Sequence, residues 1–131
     1  MADASAAGTL VVIERAHRGA VEQQYAHVLW LVHGLHKQSP MVVVLRGCAA
    51  VYALAAAKPT GLELGGEVWG VPPDYPDAIE RLRADGAPVY VSRPCLERIG
   101  AAGLDLLPGV IELDEAGITG LAASCTRWWY L

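Results

Sequence analysis

Four short apolar runs, each of strand length and each followed by a stretch of different composition, constrain this chain more than any other feature. Residues 9–14, 41–45, 89–91 and 110–113 are apolar almost throughout rather than alternating with polar positions. That is the pattern of strands covered on both faces. Between the first two, residues 19–37 lack proline, and Val21, Tyr25, Val28, Leu29, Val32 and Leu35 recur at helical spacing. Ser39-Pro40 ends this helix, and Arg46-Gly47 turns the chain into a short helix over 48–57. Asp77 is expected to cap a helix running to Ala84 and closed by Asp85-Gly86. Asp114 or Glu115 opens another that reaches Cys125, ahead of a terminal strand over 126–131. Strands alternating with helices specify a parallel sheet between two helical layers. The expected fold is therefore α/β: a three-layer α/β/α domain with a mainly parallel sheet of about five strands.

Residues 1–8 are small and polar and read as a disordered N-terminus, leaving 9–131 as a single domain. Residues 58–76 hold Pro59, Gly61, Gly65, Gly66, Gly70, Pro72, Pro73 and Pro76, too long for an idle connection and suited to an interface. Two short apolar triplets inside it, 62–64 and 67–69, are candidates for a minor extra strand. The run 28–32 falls far short of the roughly 20 residues that cross a bilayer, so no membrane is expected as a partner. Ten basic against fourteen acidic side chains give a formal charge of −4 without a lysine or arginine cluster. Nucleic acid is accordingly not expected. Three cysteines, an odd number without paired spacing, point to a reduced, cytoplasmic setting. With 53% apolar and 18% charged residues the chain has more apolar surface than a small monomer covers comfortably, and self-association or a partner subunit is its outlet.

The chemistry concentrates on Cys95. The third apolar run stops at Ser92, and Pro94 suits the first turn of a helix, where its missing N–H would be unpaired anyway. Cys95 thus falls where a strand becomes a helix. Backbone N–H groups and the positive end of the helix dipole converge there, and Arg93 and Arg98 add two cations within a turn. All three favour a thiolate, and a free thiol titrating at about 8.5 needs only a modest shift to become a nucleophile at neutral pH. The competing reading is a small apolar residue packed against the sheet. In open parallel sheets the chemistry gathers at the carboxyl ends of the strands, which brings Glu14 to His17, Arg46 to Cys48 and Ser92 to Cys95 to one rim.

With that order of elements, the chain resembles the DsrE/DsrF-like family of small sulfur-relay proteins, which includes subunits of the Dsr and Tus complexes. The resemblance rests on the opening strand Leu10 to Ile13, on Val42-Val43-Val44-Leu45-Arg46-Gly47-Cys48-Ala49-Ala50-Val51 and on Gly86-Ala87-Pro88-Val89-Tyr90-Val91-Ser92-Arg93-Pro94-Cys95. Pro108-Gly109-Val110 with the helix and strand that follow completes it. It implies a sulfur carrier or sulfurtransferase in which a cysteine after the third strand, here Cys95, holds sulfane sulfur as a persulfide. It also implies sulfur donor and acceptor proteins as partners, and assembly as a homo-oligomer, trimer or hexamer, or as a hetero-oligomer with related subunits. Some members keep the fold and lose the cysteine, so a non-catalytic structural or regulatory subunit is the alternative, as is a small-ligand binder using the same rim.

Supporting roles follow from position. Cys48 on the neighbouring rim is either a resolving or second relay thiol or a small residue at a tight turn. His17 either steadies a persulfide or is a solvated loop histidine. Cys125 ends a helix, where the dipole disfavours a thiolate, and belongs to packing. His33 and His36 share a helix face but lack a third ligand, and no GxGxxG or GxxxxGK[ST] follows a strand. Neither a metal nor a cofactor is expected. Trp128 and Trp129 point to opposite faces of the last strand, one toward the core and one toward a subunit seam, unless helices cover both.

Overall fold

In the computed structural model, which describes residues 8–14, 26–57, 63–68 and 74–131, each apolar run becomes a strand. The strands in chain order are β1 (Thr9–Ile13), β2 (Met41–Leu45), β3 (Glu63–Leu64), β4 (Glu67–Val68), β5 (Val89–Ser92), β6 (Ile111–Leu113) and β7 (Arg127–Tyr130). Five of them form one sheet in the order β6-β5-β2-β1-β7, every neighbouring pair parallel. β1 and β2 are buried along their whole length, as continuous apolar runs require.

The two faces of the sheet are covered differently. Val11, Ile13, Val43, Leu45, Val89 and Val91 look toward α1 (Ala26–His36), α2 (Tyr75–Ala84), α3 (Arg93–Arg98) and a 3-10 helix (Gly47–Ala53), in one continuous core. On the other face Leu10, Val12, Val42 and Val44 meet Ile118, Leu121 and Cys125 of α4 (Glu115–Ser124) and its end, with the partly buried Tyr90, Leu113 and Ala122 packed against them. The result is the three-layer α/β/α architecture with a parallel five-stranded sheet that the sequence predicts. Among the described residues no helix is long and apolar enough to cross a membrane.

Several boundaries differ from the sequence reading for local reasons. α2 starts at Tyr75, not after Asp77: the Asp74 carboxylate accepts the Asp77 N–H at 3.0 Å, and Pro76 fits the first turn. The helix expected over 48–57 is a tighter 3-10 element, with Tyr52 stacked on Tyr75 at 4.2 Å to tie it to α2. Gly8, assigned to the disordered terminus, is instead held by its carbonyl, which accepts from the Thr126 and Arg127 N–H groups and the Thr126 hydroxyl. Within the long connection Glu63–Leu64 and Glu67–Val68 pair with each other as an exposed β3–β4 hairpin, and Gly65 and Gly66, both at positive φ, make its turn; residues 58–62 and 69–73 lie outside the described residues.

The last strand departs furthest from expectation. β7 is a sheet edge, and all four of its residues are exposed, Trp128, Trp129 and Tyr130 among them. All four residues are exposed because α4 lies over β1 and β2; the Trp128 Nε1–H donates to the Ala122 carbonyl of α4 at 2.8 Å.

Candidate functional site

The strand ends define the site. After β5 the chain turns into α3 on one face of the sheet, and after β6 it turns into α4 on the other. Neighbouring strands whose connections leave in opposite directions mark their carboxyl ends as the usual place for a ligand or for chemistry in a parallel sheet.

Cys95 stands at that edge as the third residue of α3, preceded by Arg93 and Pro94 in the first turn. Ser92 ends β5 and caps α3: its hydroxyl accepts the Cys95 N–H at 3.3 Å. The sulfur accepts a hydrogen bond from a separate strand end, the Gly47 N–H, at 3.2 Å. Gly47 can approach this closely because it has no side chain. It sits at φ +53°, and a Cβ there would lie 3.0 Å from the Glu14 carbonyl oxygen. The ends of β2 and β5 are thus joined at this sulfur, with the end of β1 packed against Gly47. Cys95 itself is only 5% exposed and belongs to the core beneath the sheet edge.

Cys48 follows Gly47 as the second residue of the 3-10 helix, and it is exposed. The fold therefore brings Cys95 and the Arg46-Gly47-Cys48 turn to one rim, as the sequence indicates. Cys125 caps the end of α4 and packs against Leu10, Val12, Val42 and Val44. His17 lies outside the described residues.

The charges arrange themselves otherwise than expected. Arg93, set by sequence beside the thiol, turns to Glu112 of β6, with its Nε 3.2 Å from the carboxylate. Arg98 stands exposed in the last turn of a helix of only six residues, too short for a large dipole. Arg46 reaches Glu14 at 3.8 Å and Glu115 at 3.6 Å. Among the described residues, the guanidiniums of Arg46 and Arg93 therefore face three carboxylates, Glu14, Glu115 and Glu112. Among those residues the group that meets the Cys95 sulfur is the Gly47 backbone N–H, a dipole fixed by the fold.

Sequence reasoning passed over Gly47, Ser92 and Glu112. A glycine between the end of an apolar strand and the next helix was the available signal for the first, and a serine three residues before Cys95, at the strand end, for the second. Nothing in the sequence marks Glu112 as the partner of Arg93. His33 and His36 are structural: the His33 Nε2 meets the Asp85 carboxylate, and the His36 Nε2 donates to the Asp85 carbonyl at 3.0 Å while its Nδ1 accepts the Met41 N–H.

No protein-family model matches the chain, and no curated protein sequence does. Among solved structures, the ychN protein from E. coli shares this fold with a TM-score of 0.74, over 95% of this chain and 99% of its own, at 19% sequence identity.

Proposed function

We propose that this chain is a DsrE/DsrF-like sulfur carrier of the cytoplasm, in which Cys95 holds sulfane sulfur as a persulfide and passes it to a thiol of a partner protein. The fold agrees with the one the sequence resemblance implies. The observation that carries the reading is the Gly47 N–H directed at the Cys95 sulfur where the ends of β2 and β5 meet. A sulfur that accepts a fixed N–H is held in an environment suited to the electron-rich sulfur of a thiolate or persulfide anion, and it keeps that donor whether or not a second sulfur is attached. Loading is a displacement: the Cys95 thiolate attacks the outer sulfur of a donor persulfide, a new S–S bond forms, and the donor leaves as its thiolate. Unloading is the same step with an acceptor thiolate as nucleophile.

A second reading has its own observation. At 5% exposure Cys95 is poorly placed to meet a donor directly, which favours a structural or regulatory subunit that keeps the fold without the transfer. Incubation with a persulfide donor separates the two. The carrier gains about 32 Da per sulfur atom, and a thiol reductant removes the gain. A mass that never changes identifies the non-catalytic subunit.

The assembly proposed with this function is a trimer or hexamer of this chain, or a hetero-oligomer with related subunits. The exposed aromatics of β7 and the exposed Leu64 and Val68 of the β3–β4 hairpin are the surfaces that support it.

A further inference from the structure

We infer that Cys48 is the entry thiol of this site, receiving sulfane sulfur at the surface and handing it to Cys95 within the same chain. The inference rests on the carrier reading and answers the difficulty that burial of Cys95 creates for it. Thiol exchange needs access to the attacked sulfur. Cys95 is 5% exposed, whereas Cys48 is exposed. The two are joined through Gly47, whose N–H lies 3.2 Å from the Cys95 sulfur. One peptide unit further on, the Cys48 Cα is within about 8 Å of that sulfur at most. A cysteine persulfide carries its outer sulfur about 4 Å from its own Cα, which leaves at most about 4 Å, the contact distance of two sulfurs, when the Cys48 side chain rotates toward Cys95.

The asymmetry of the two positions gives the transfer a direction. Cys48 is open to a donor, and Cys95 has the Gly47 N–H waiting for the anion. In the first step the Cys48 thiolate attacks the outer sulfur of a donor persulfide, giving Cys48–S–SH and the donor thiolate. In the second the Cys95 thiolate attacks the outer sulfur of Cys48–S–SH, giving Cys95–S–SH and the Cys48 thiolate. No oxidant or reductant is consumed in either step. The strained position at Gly47 has a role here beyond the turn itself, because it sets both the N–H at the buried sulfur and the exposed thiol next along the chain.

One equivalent of glutathione persulfide, followed over time by alkylation and peptide mapping, tests the transfer. In the native chain sulfur is expected first on the Cys48 peptide and then on the Cys95 peptide. Cys95→Ala should strand it on Cys48, and Cys48→Ser should slow loading of Cys95 about tenfold or more. Cys48 is exposed, so Cys48→Ser and Cys48→Ala are expected to fold alike and to give the same delay. Undiminished loading of Cys95 in both Cys48 variants would overturn the entry role and leave the carrier reading intact. Sulfur that never reaches Cys95 in the native chain would overturn both.

Discussion

At the scale of single residues the site depends on a glycine as much as on a cysteine. Gly47 at φ +53° packs against the Glu14 carbonyl and offers its N–H to the Cys95 sulfur. An alanine there must adopt a left-handed conformation and push its Cβ to 3.0 Å from a backbone oxygen. Gly47→Ala should therefore lose about 1–2 kcal/mol of stability in urea denaturation, and the shift of the turn should slow sulfur loading of Cys95 as well. Unchanged stability would mean that the turn relaxes freely and that the N–H is not fixed. Cys95 was legible in the sequence because a strand end, a proline and its neighbours are all local signals. Its hydrogen-bond donor was not legible, since Gly47 lies 48 positions away and meets it only through the parallel pairing of β2 with β5. The same holds for Arg93, whose partner Glu112 is supplied by the pairing of β5 with β6.

At the scale of elements, α1 and α2 are joined at their carboxyl ends by Asp85. The hydrogen bond from His33 holds the Asp85 carboxyl below its ordinary value of 3.8, with the charges of His33, Lys37 and His36 adding to it against a smaller desolvation effect. A carboxyl whose folded value is depressed stabilises the fold above its unfolded value and ceases to do so as the pH falls through the folded one. The urea midpoint should therefore drop as the solution is taken from about pH 5 to below pH 4, and Asp85→Asn should flatten that dependence. Equal acid sensitivity in the two proteins would show that the link between the helices does not titrate. The sequence marked both histidines and Asp85-Gly86 as a helix end, yet no periodicity shows that two helix ends meet. β7 illustrates the converse: its aromatics read as one face in the core and one at a subunit seam, but strand order makes it an edge with all four residues exposed, and strand order is a property of the whole chain.

For the whole molecule, α4 covers the second face of the sheet among the described residues, and the last strand is exposed. Trp129, on the α1 side, and Tyr130, on the α4 side, are 38% and 68% exposed. An oligomer that covers β7 would remove this surface from water. Light scattering at micromolar concentration should give a multiple of 13.9 kDa. Trp129→Glu and Tyr130→Glu should return the mass to that of one chain while leaving the circular dichroism spectrum in place. A native protein that scatters as a monomer would remove the assembly from the account. The fold class was readable in advance because the strands are short, apolar throughout and separated by helical segments. For assembly the sequence offers only an excess of apolar residues, and composition does not say where on the surface that excess lies.

The central claim is that the sulfur at the meeting of β2 and β5 is the one that holds the cargo. Its most direct test is to supply one equivalent of a persulfide donor, allow the reaction to finish, and locate the added sulfur among the peptides bearing Cys48, Cys95 and Cys125. The account predicts about 32 Da on the Cys95 peptide, lost again on reduction. Sulfur resting at completion on Cys48 or Cys125, or on no cysteine, would contradict it.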